Sequence, residues 1–289
     1  MNAQLMREPI TQSGTRCSKR QAFTLVELLV VITIIGILVA LLIPAVNVAM
    51  RNARNAQIAI EVRGLANAME SYKLEMGDYP PDFARDAGGD GTQIVSHLAR
   101  KFRYRDKVND VYSDADLDNL DPSEALVFWL SGLSADPKRP LTNRKAYSDL
   151  FPATVKGAKA FFEFDQSRLR DSDGDGWPEY YPQNIEMPYV YFRNDNYANP
   201  FDNSLPHAVL NNQVQVRPYA RTLDGAAAVD EYVAPEKFQV ICSGLDNLFL
   251  DENSVASNAT YPDGLGYQEA DEDNITNFSE GSTLQAAIP

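Results

Sequence analysis

The feature that most constrains the fold is an almost wholly apolar run from Leu28 to Val46, interrupted only by Thr33, Gly36 and Pro44. In a helix that rises about 1.5 Å per residue, about 20 apolar residues span the hydrocarbon core of a bilayer, which is about 30 Å thick. Basic residues precede the run, and such a flank keeps the N-terminal side of a membrane helix in the cytoplasm. The sequence therefore predicts a single-pass helix with everything after residue 46 facing outward.

Composition alone leaves three other interpretations of this run open: a secretory signal peptide, a plain membrane anchor and a buried core helix. The apolar part of a signal peptide is usually about 7 to 15 residues long and ends at a small-residue cleavage site. This run is longer and continues into polar sequence without such a site. Glu27 lies at its start, and a carboxylate there costs about 2 to 3 kcal/mol in lipid, so the sequence predicts a partner for Glu27.

Residues 19–27 resemble the start of type IV pilin and type II secretion pseudopilin precursors, in which a basic leader and a small residue precede Phe-Thr-Leu-Xaa-Glu. Here the segment reads Lys-Arg-Gln-Ala-Phe-Thr-Leu-Val-Glu. The resemblance implies that a prepilin peptidase cleaves between Ala22 and Phe23 and methylates the new amine. It also implies that Glu27 meets the N-terminal amine of a neighbouring subunit within a filament. The residue before the cut is usually Gly in this family, so Ala22 implies slower processing.

Gly36 and Pro44 match positions where the N-terminal helix weakens or kinks in this family. Pro44 lacks the amide hydrogen that an interior helical residue donates, and its ring clashes with the preceding turn. Gly36 lowers helix propensity. We therefore expect the helix to loosen at these two positions.

Beyond Pro44 the apolar residues are spaced alternately by four and three positions, which is typical of an amphipathic helix. They are Ile58, Val62, Leu65, Met69, Tyr72 and Met76. Charged and amide side chains, Glu61 among them, fill much of the rest and are expected to face solvent. Gly77, Pro80 and Pro81 end the helix, because glycine and proline disfavour its continuation. A coiled-coil dimer would show the same stripe, but the pilin-like start favours packing on the chain's own sheet.

The predicted fold is α+β and pilin-like. A long N-terminal α-helix, with a transmembrane half and an amphipathic half, packs on a small antiparallel β-sheet, with a helical and loop insertion. The resemblance is closest to the major, G-type pseudopilin, whose helix exit the run from Tyr72 to Pro80 resembles. The predicted segments are a basic leader at 1–22, a filament-core helix at 23–46, its amphipathic half and exit turn at 47–81, an insertion at 82–150 and a β-sheet domain at 151–289.

Local signals within these segments indicate individual elements. Asp121-Pro122-Ser123-Glu124 predicts a helix start, with Asp as the N-cap and Glu reaching back to it, and Trp129 is expected in the core. Four strand-like runs follow, separated by turn-rich stretches. They are Ala160–Phe164, Pro188–Phe192, Gln213–Val216 and Phe238–Ser243.

Composition argues against several functions. Forty acidic and 26 basic residues give a net charge of −14, whereas a nucleic-acid partner needs clustered Lys and Arg. The sequence has no Gly-rich phosphate loop and no zinc-protease or hydrolase motif, so we predict no enzymatic activity. A chain without its leader keeps Cys242 but not Cys17, so it forms no internal disulfide, and Cys242 is expected to be buried. His97 and His207 are expected to be structural or exposed.

Two groups of carboxylates are candidate calcium ligands. In the first, Asp171, Asp173 and Asp175 alternate before a glycine, as do the first ligands of an EF-hand loop. The twelfth position of such a loop, normally a bidentate Glu, is Pro182 here, so Glu179 or a distant residue would have to complete the shell. An Asx-rich solvated turn is the alternative.

The second group resembles the C-terminal end of major pseudopilins, where a strand runs into a turn and an acidic loop holds Ca²⁺. On this resemblance Asp246 falls on the turn, and Asp271 and Asp273 fall on the acidic loop, although Asn247 stands where Gly is usual. No Lys or Arg follows Lys237, so this end repels itself unless cations bind. A divalent ion would staple a chain that lacks a disulfide, and calcium is therefore expected in the C-terminal half.

The predicted function is that of a pseudopilin, a structural subunit of a type II secretion-type periplasmic filament that drives protein export. The resemblance implies an inner-membrane protein with a periplasmic C-terminal domain. It also implies four kinds of partner: further copies of the chain, other pseudopilins, the prepilin peptidase and an inner-membrane assembly platform. Two alternatives stay open, a type IV pilus pilin for adhesion or motility and a membrane-anchored extracytoplasmic enzyme or ligand-binding protein.

Overall fold

The chain divides into two compact units, Met1–Met50 and Arg51–Pro289, and the boundary lies near the predicted end of the filament-core helix at residue 46. All β-strands in the described part belong to the second unit. The computed structural model describes residues 24–83, 92–105, 120–134, 136–141, 160–174, 176–194, 208–210, 214–224, 228–250 and 258–289.

The described part of the first unit is the start of helix α1, which runs over Leu25–Met76. Every residue from Leu25 to Met50 is exposed, and the large apolar side chains range from 44% exposed at Val39 to 79% at Leu25. Among the described residues, α1 is the one helix long and apolar enough to cross a membrane. Because burial of apolar surface is favourable, this segment requires a cover of lipid or protein.

The later part of α1 belongs to the second unit and has the predicted amphipathic character. Its buried residues are Ile58, Ala59, Val62, Leu65, Ala68, Met69 and Tyr72, whereas Met76 is half-buried. The helix ends as predicted at Gly77, whose φ of +93° is a left-handed conformation that glycine adopts without strain. The amide of Gly77 donates a hydrogen bond to the Lys73 carbonyl at 2.7 Å.

Two short helices follow, α2 at Thr92–Lys101 and α3 at Ala125–Leu130. The predicted contacts at the start of α3 are present, since the Asp121 amide donates to Glu124 Oε2 at 2.8 Å and Asp121 Oδ1 accepts from the Ser123 amide at 2.7 Å. The predicted N-cap is wrong, because α3 begins at Ala125 after Glu124 and residues 122–124 form a turn before it. All six residues of α3 are buried, and Trp129 lies in the core as expected, with its indole N–H donating to the Pro81 carbonyl at 2.8 Å. The described helices of the predicted insertion therefore contribute to the main core.

The described strands are short. They are β1 Leu169–Arg170, β2 Glu179–Tyr180, β3 Val190–Arg193, β4 Ala208–Leu210, β5 Val214–Val216, β6 Ala220–Asp224, β7 Ala228–Tyr232, β8 Phe238–Cys242 and β9 Ile275–Thr276. The central sheet is antiparallel in the order β3-β8-β9, with Val190 opposite Ile241 and Ile241 opposite Thr276. The pairs β1-β2, β4-β5 and β6-β7 form separate antiparallel ladders. The predicted α+β class with small antiparallel sheets is confirmed.

The central sheet is buried on both faces, because side chains alternate along each strand. Tyr191 and Val240 join the larger apolar cluster, which also contains α3 and the buried face of α1. Phe192 and Ile241 join a second cluster on the other face, together with Leu284 near the C-terminus. The C-terminal residues therefore close one side of the sheet.

One predicted strand, Ala160–Phe164, is wrong. This stretch forms no ladder, and instead the amides of Phe161 and Phe162 both donate to the carbonyl of Leu130, at 2.8 and 3.2 Å. The aromatic side chains pack individually, with Phe161 on Tyr72 at a ring-centroid distance of 5.2 Å. A run of aromatic residues thus enters the core without sheet pairing. The predictions at 188–192, 213–216 and 238–243 correspond to β3, β5 and β8.

Candidate functional site

The first candidate region is the start of α1, where Thr24 and Glu27 cap the helix reciprocally. Glu27 Oε2 accepts hydrogen bonds from the amide and the hydroxyl of Thr24, both at 2.8 Å, and the Glu27 amide donates to Thr24 Oγ1 at 3.2 Å. This is a capping box, and a carboxylate at a helix N-terminus also interacts favourably with the helix dipole. Glu27 therefore has partners within its own chain. The predicted processing residues Ala22 and Phe23 lie outside the described residues.

A polar anchor that sequence reasoning missed lies on the packed face of α1. Glu61 was expected in solvent, but its carboxylate accepts hydrogen bonds from Arg168 Nη1 at 2.8 Å, from the Tyr180 hydroxyl at 2.8 Å and from the Tyr189 hydroxyl at 2.7 Å. Burial by itself raises the pKa of Glu61, but the bonds from Arg168, Tyr189 and Tyr180 outweigh it and hold the pKa below its ordinary value. Glu61 thus ties α1 to β2 and to the residues beside β1 and β3.

Several side-chain oxygens of the loop 171–179 accept hydrogen bonds from within the loop itself. The Asp171 carboxylate accepts from the amides of Gly174 at 2.8 Å and Gly176 at 3.1 Å. Glu179 is 1% exposed and accepts from the Ser172 amide at 3.1 Å. Its hydrogen bonds account for a structural role in the turn. Asp173 is exposed, and Asp175 lies outside the described residues.

The second predicted group is only partly brought together. The Asp246 amide donates to Asp273 Oδ2 at 3.2 Å, so these two residues are neighbours. Asp271 is fully buried and binds Arg217 and Tyr219, each at 2.6 Å. No group of three His, Cys, Asp or Glu side chains among the described residues is arranged to hold a metal ion. In the described residues Asp271 is thus bonded separately from the neighbouring pair Asp246 and Asp273.

Two side chains that could be reactive, His97 and Cys242, are buried in the core. His97 is 3% exposed with Nε2 3.0 Å from the Tyr72 hydroxyl, and burial, assisted by Arg193, lowers the pKa of His97 to about 4. Burial raises the pKa of Cys242 to about 12, so its thiol stays protonated and is a poor nucleophile. Both positions agree with the expectations that His97 is structural or exposed and that Cys242 is buried, whereas His207 lies outside the described residues.

A cavity of about 210 Å³ lies beside the end of α1 and is lined by Met76, Gly77, Asp78, His97 and Arg100. The two oppositely charged groups are paired with each other, since Arg100 Nη1 lies 2.8 Å from Asp78 Oδ2. The lining contains no Ser or Cys nucleophile. This cavity gives the enzyme alternative no support.

Comparison with known proteins finds matches for the N-terminal segment. A profile of the prokaryotic N-terminal methylation motif matches residues 17–43. That segment contains the Ala22-Phe23 junction, Glu27 and Gly36. No solved structure matches this chain.

Curated relatives that match this chain carry the name type II secretion system core protein G. The protein from Escherichia coli (strain K12) is 37% identical over 62 residues, which are 22% of this chain and 43% of the relative. The protein from Pseudomonas aeruginosa is 36% identical over 62 residues, which are 22% of this chain and 44% of the relative. The chain spans less than half the length of these relatives. Together the matches confirm the family resemblance predicted from residues 19–27.

Proposed function

We propose that this chain, whose N-terminal region belongs to the type IV pilin and type II secretion pseudopilin family, is a structural subunit of a type II secretion-type filament. The observation that carries the proposal is the exposed apolar part of α1, which begins directly at the Thr24–Glu27 capping box. In a filament, the apolar helices of many subunits cover one another and Glu27 meets the N-terminal amine of a neighbour. The role is mechanical: growth of the filament pushes exported protein outward, and the chain itself catalyses no reaction.

Before assembly the same helix holds the subunit in the inner membrane as a single span, with residues after Val46 on the periplasmic side. The basic leader supports this orientation. The partners are further copies of the chain, other pseudopilins, the prepilin peptidase and the inner-membrane assembly platform. Because the matched relatives are named as secretion core proteins, they favour a secretion filament over a surface pilus.

The test is co-expression of the full chain with a prepilin peptidase, followed by mass spectrometry of the membrane-extracted protein. We expect loss of residues 1–22 and a methylated amine on Phe23. Glu27→Gln removes the charge that pairs with a neighbouring amine, so it should abolish cross-linked multimers while cleavage continues. Thr33→Val changes a polar side chain in the same span without removing a charge, so it is the control and should assemble normally. An uncleaved start, or wild-type multimers from Glu27→Gln, would contradict the proposal.

We further propose that Ca²⁺ binds in the loop 171–179, held by the oxygens of Asp171, Asp173 and Asp175. Glu179, which like Asp171 accepts hydrogen bonds within the turn, is the candidate fourth ligand. The ion would neutralise adjacent carboxylates and hold the turn closed. Calcium should raise the unfolding midpoint of the full chain in detergent and should not raise that of Asp173→Asn. An equal response of both proteins would refute this site.

A further inference from the structure

The C-terminal residues 258–289 are attached to the central sheet by neither a disulfide nor a long strand. Cys242 is a free, buried thiol, and β9 contributes only Ile275 and Thr276 to the central sheet. Leu284 nevertheless lies fully buried in the second apolar cluster. Polar contacts act beside this apolar packing to hold the segment against the sheet.

The first of these contacts is a buried ion pair between Asp271 and Arg217. Asp271 Oδ2 accepts from Arg217 Nη2 at 2.6 Å and from the Gln268 amide at 2.8 Å, while Oδ1 accepts from the Tyr219 hydroxyl at 2.6 Å. The side chains of Arg217 and Asp271 are 4% and 0% exposed. Within the described part of the chain, Nε and Nη1 of Arg217 have no acceptor, so Asp271 alone compensates this buried cation.

The residues around this pair fix its position in the sheet. The side chain of Gln239, in β8, accepts from the Tyr219 amide at 2.7 Å and donates to the Tyr219 carbonyl at 2.8 Å. The Arg217–Asp271 pair is therefore connected to the central strand through Tyr219. Buried polar networks of this kind are costly to break, because each member then loses a partner that water cannot replace.

The second contact is the Asp273 carboxylate, around which the turn after β8 is folded. Its oxygens accept from the Leu245 amide at 3.0 and 2.8 Å and from the Asp246 amide at 3.2 Å. Gly244 has a φ of +72°, and a Cβ atom there would lie 1.5 Å from Asp273 Oδ1. The glycine thus permits the carboxylate to approach the backbone closely.

We infer that the C-terminal segment is fastened by protein donors alone, Arg217 and Tyr219 for Asp271 and the backbone amides of the turn for Asp273, and that this closure requires no divalent ion. The geometry disagrees with the calcium site expected here. A cation at Asp271 would lie against the positive guanidinium of Arg217. The inference does not rest on the filament role, and it concerns a different part of the chain from the loop 171–179.

Hydrogen exchange, measured by mass spectrometry on the full chain in detergent, distinguishes a C-terminal segment held by a calcium ion from one held by protein donors alone. We expect peptides covering residues 271–284 to exchange at the same rate in excess calcium and in excess chelator. Arg217→Met should speed their exchange by about tenfold or more, because it breaks a buried pair. Arg221→Met is the matched control, since Arg221 is an exposed arginine of β6, and it should leave these peptides unchanged.

The loop 171–179 is removed as a confounding site by repeating the calcium and chelator comparison in Asp171→Asn/Asp173→Asn. Faster exchange of the 271–284 peptides in chelator, in the wild type and in this double variant, would overturn the inference. Unchanged exchange in Arg217→Met would overturn it as well. If Arg217→Met does not fold, Tyr219→Phe removes one hydrogen bond to Asp271 and should speed exchange of the same peptides to a smaller extent. The comparison of wild-type protein with and without calcium decides the metal question without any variant.

Discussion

Replacing Glu61 by Gln should destabilise the second unit strongly, because Glu61 is the acceptor for three side chains from the β-region. Glu61→Gln keeps the volume but removes the charge that compensates Arg168. Breaking a buried ion pair costs about 3 to 5 kcal/mol. Glu61 and Arg168 have side chains that are 18% and 20% exposed, so we expect the lower end, about 3 kcal/mol. At about 2 to 4 °C per kcal/mol for a domain of this size, the unfolding midpoint should fall by about 6 to 12 °C.

The assay is thermal unfolding followed by tryptophan fluorescence on the full chain in detergent. Both tryptophans, Trp129 and Trp177, are buried in the second unit and report its unfolding. Glu163→Gln is the matched control, because Glu163 is exposed and should change the midpoint little. A loss at Glu61→Gln no larger than that of the control would refute the anchor.

Acid titration provides an independent check on the same carboxylate. The folded-state pKa of Glu61 lies below its ordinary value of 4.5, so its contribution to stability is fully present above that pH. It is lost as the pH falls through the folded-state pKa. Wild-type protein should therefore lose stability below about pH 4.5 more steeply than Glu61→Gln. Parallel acid profiles for the two proteins would contradict the assigned hydrogen bonds.

Two further predictions test the histidine and the close glycine. With a folded-state pKa of about 4, His97 binds a proton in the unfolded chain before it does in the native one, so stability should fall from pH 6.5 towards pH 4. At pH 5 this loss is about 2 kcal/mol, and His97→Phe should lack it in chemical denaturation. Gly244→Ala should cost about 2 to 4 kcal/mol, since the added Cβ collides with Asp273 in a left-handed backbone. Gly176→Ala has the same kind of backbone but open space around the Cβ, so it should cost only about 1 kcal/mol; equal losses would refute the close contact.

The parts of the fold that the sequence predicts are those governed by local periodicity. The apolar run and the spacing of Ile58, Val62 and Leu65 fix α1, because a helix places residues three and four apart on one face. Gly77 ends α1 because glycine adopts a left-handed backbone conformation without strain, and this cause is equally local. The stretch 160–164 shows the limit, since aromatic residues favour both strands and irregular core packing, and only the neighbours that they meet decide.

The polar contacts were not predictable in the same way, because their partners are distant in the chain. Glu61 is 107 residues from Arg168 and 128 from Tyr189, so its place beside a helical stripe gives no sign of the donors that fold over it. The single local signal is a carboxylate next to the apolar face of an amphipathic helix. Such a carboxylate can be a buried hydrogen-bond acceptor or a solvent-exposed residue at the edge of that face, and the sequence does not distinguish the two.

The C-terminal acids suggested a metal through the resemblance to major pseudopilins and because no Lys or Arg follows Lys237. Acidic spacing is visible in sequence, whereas the cation that pairs with Asp271 is 54 residues earlier, in the connection before β6. The curated relatives share 62 residues, 22% of this chain, so most of the chain lies outside the matched segment. For this reason, Asp271 and Asp273 cannot be assigned as calcium ligands from the sequence alone, because the hydrogen-bond donors that surround them must also be known.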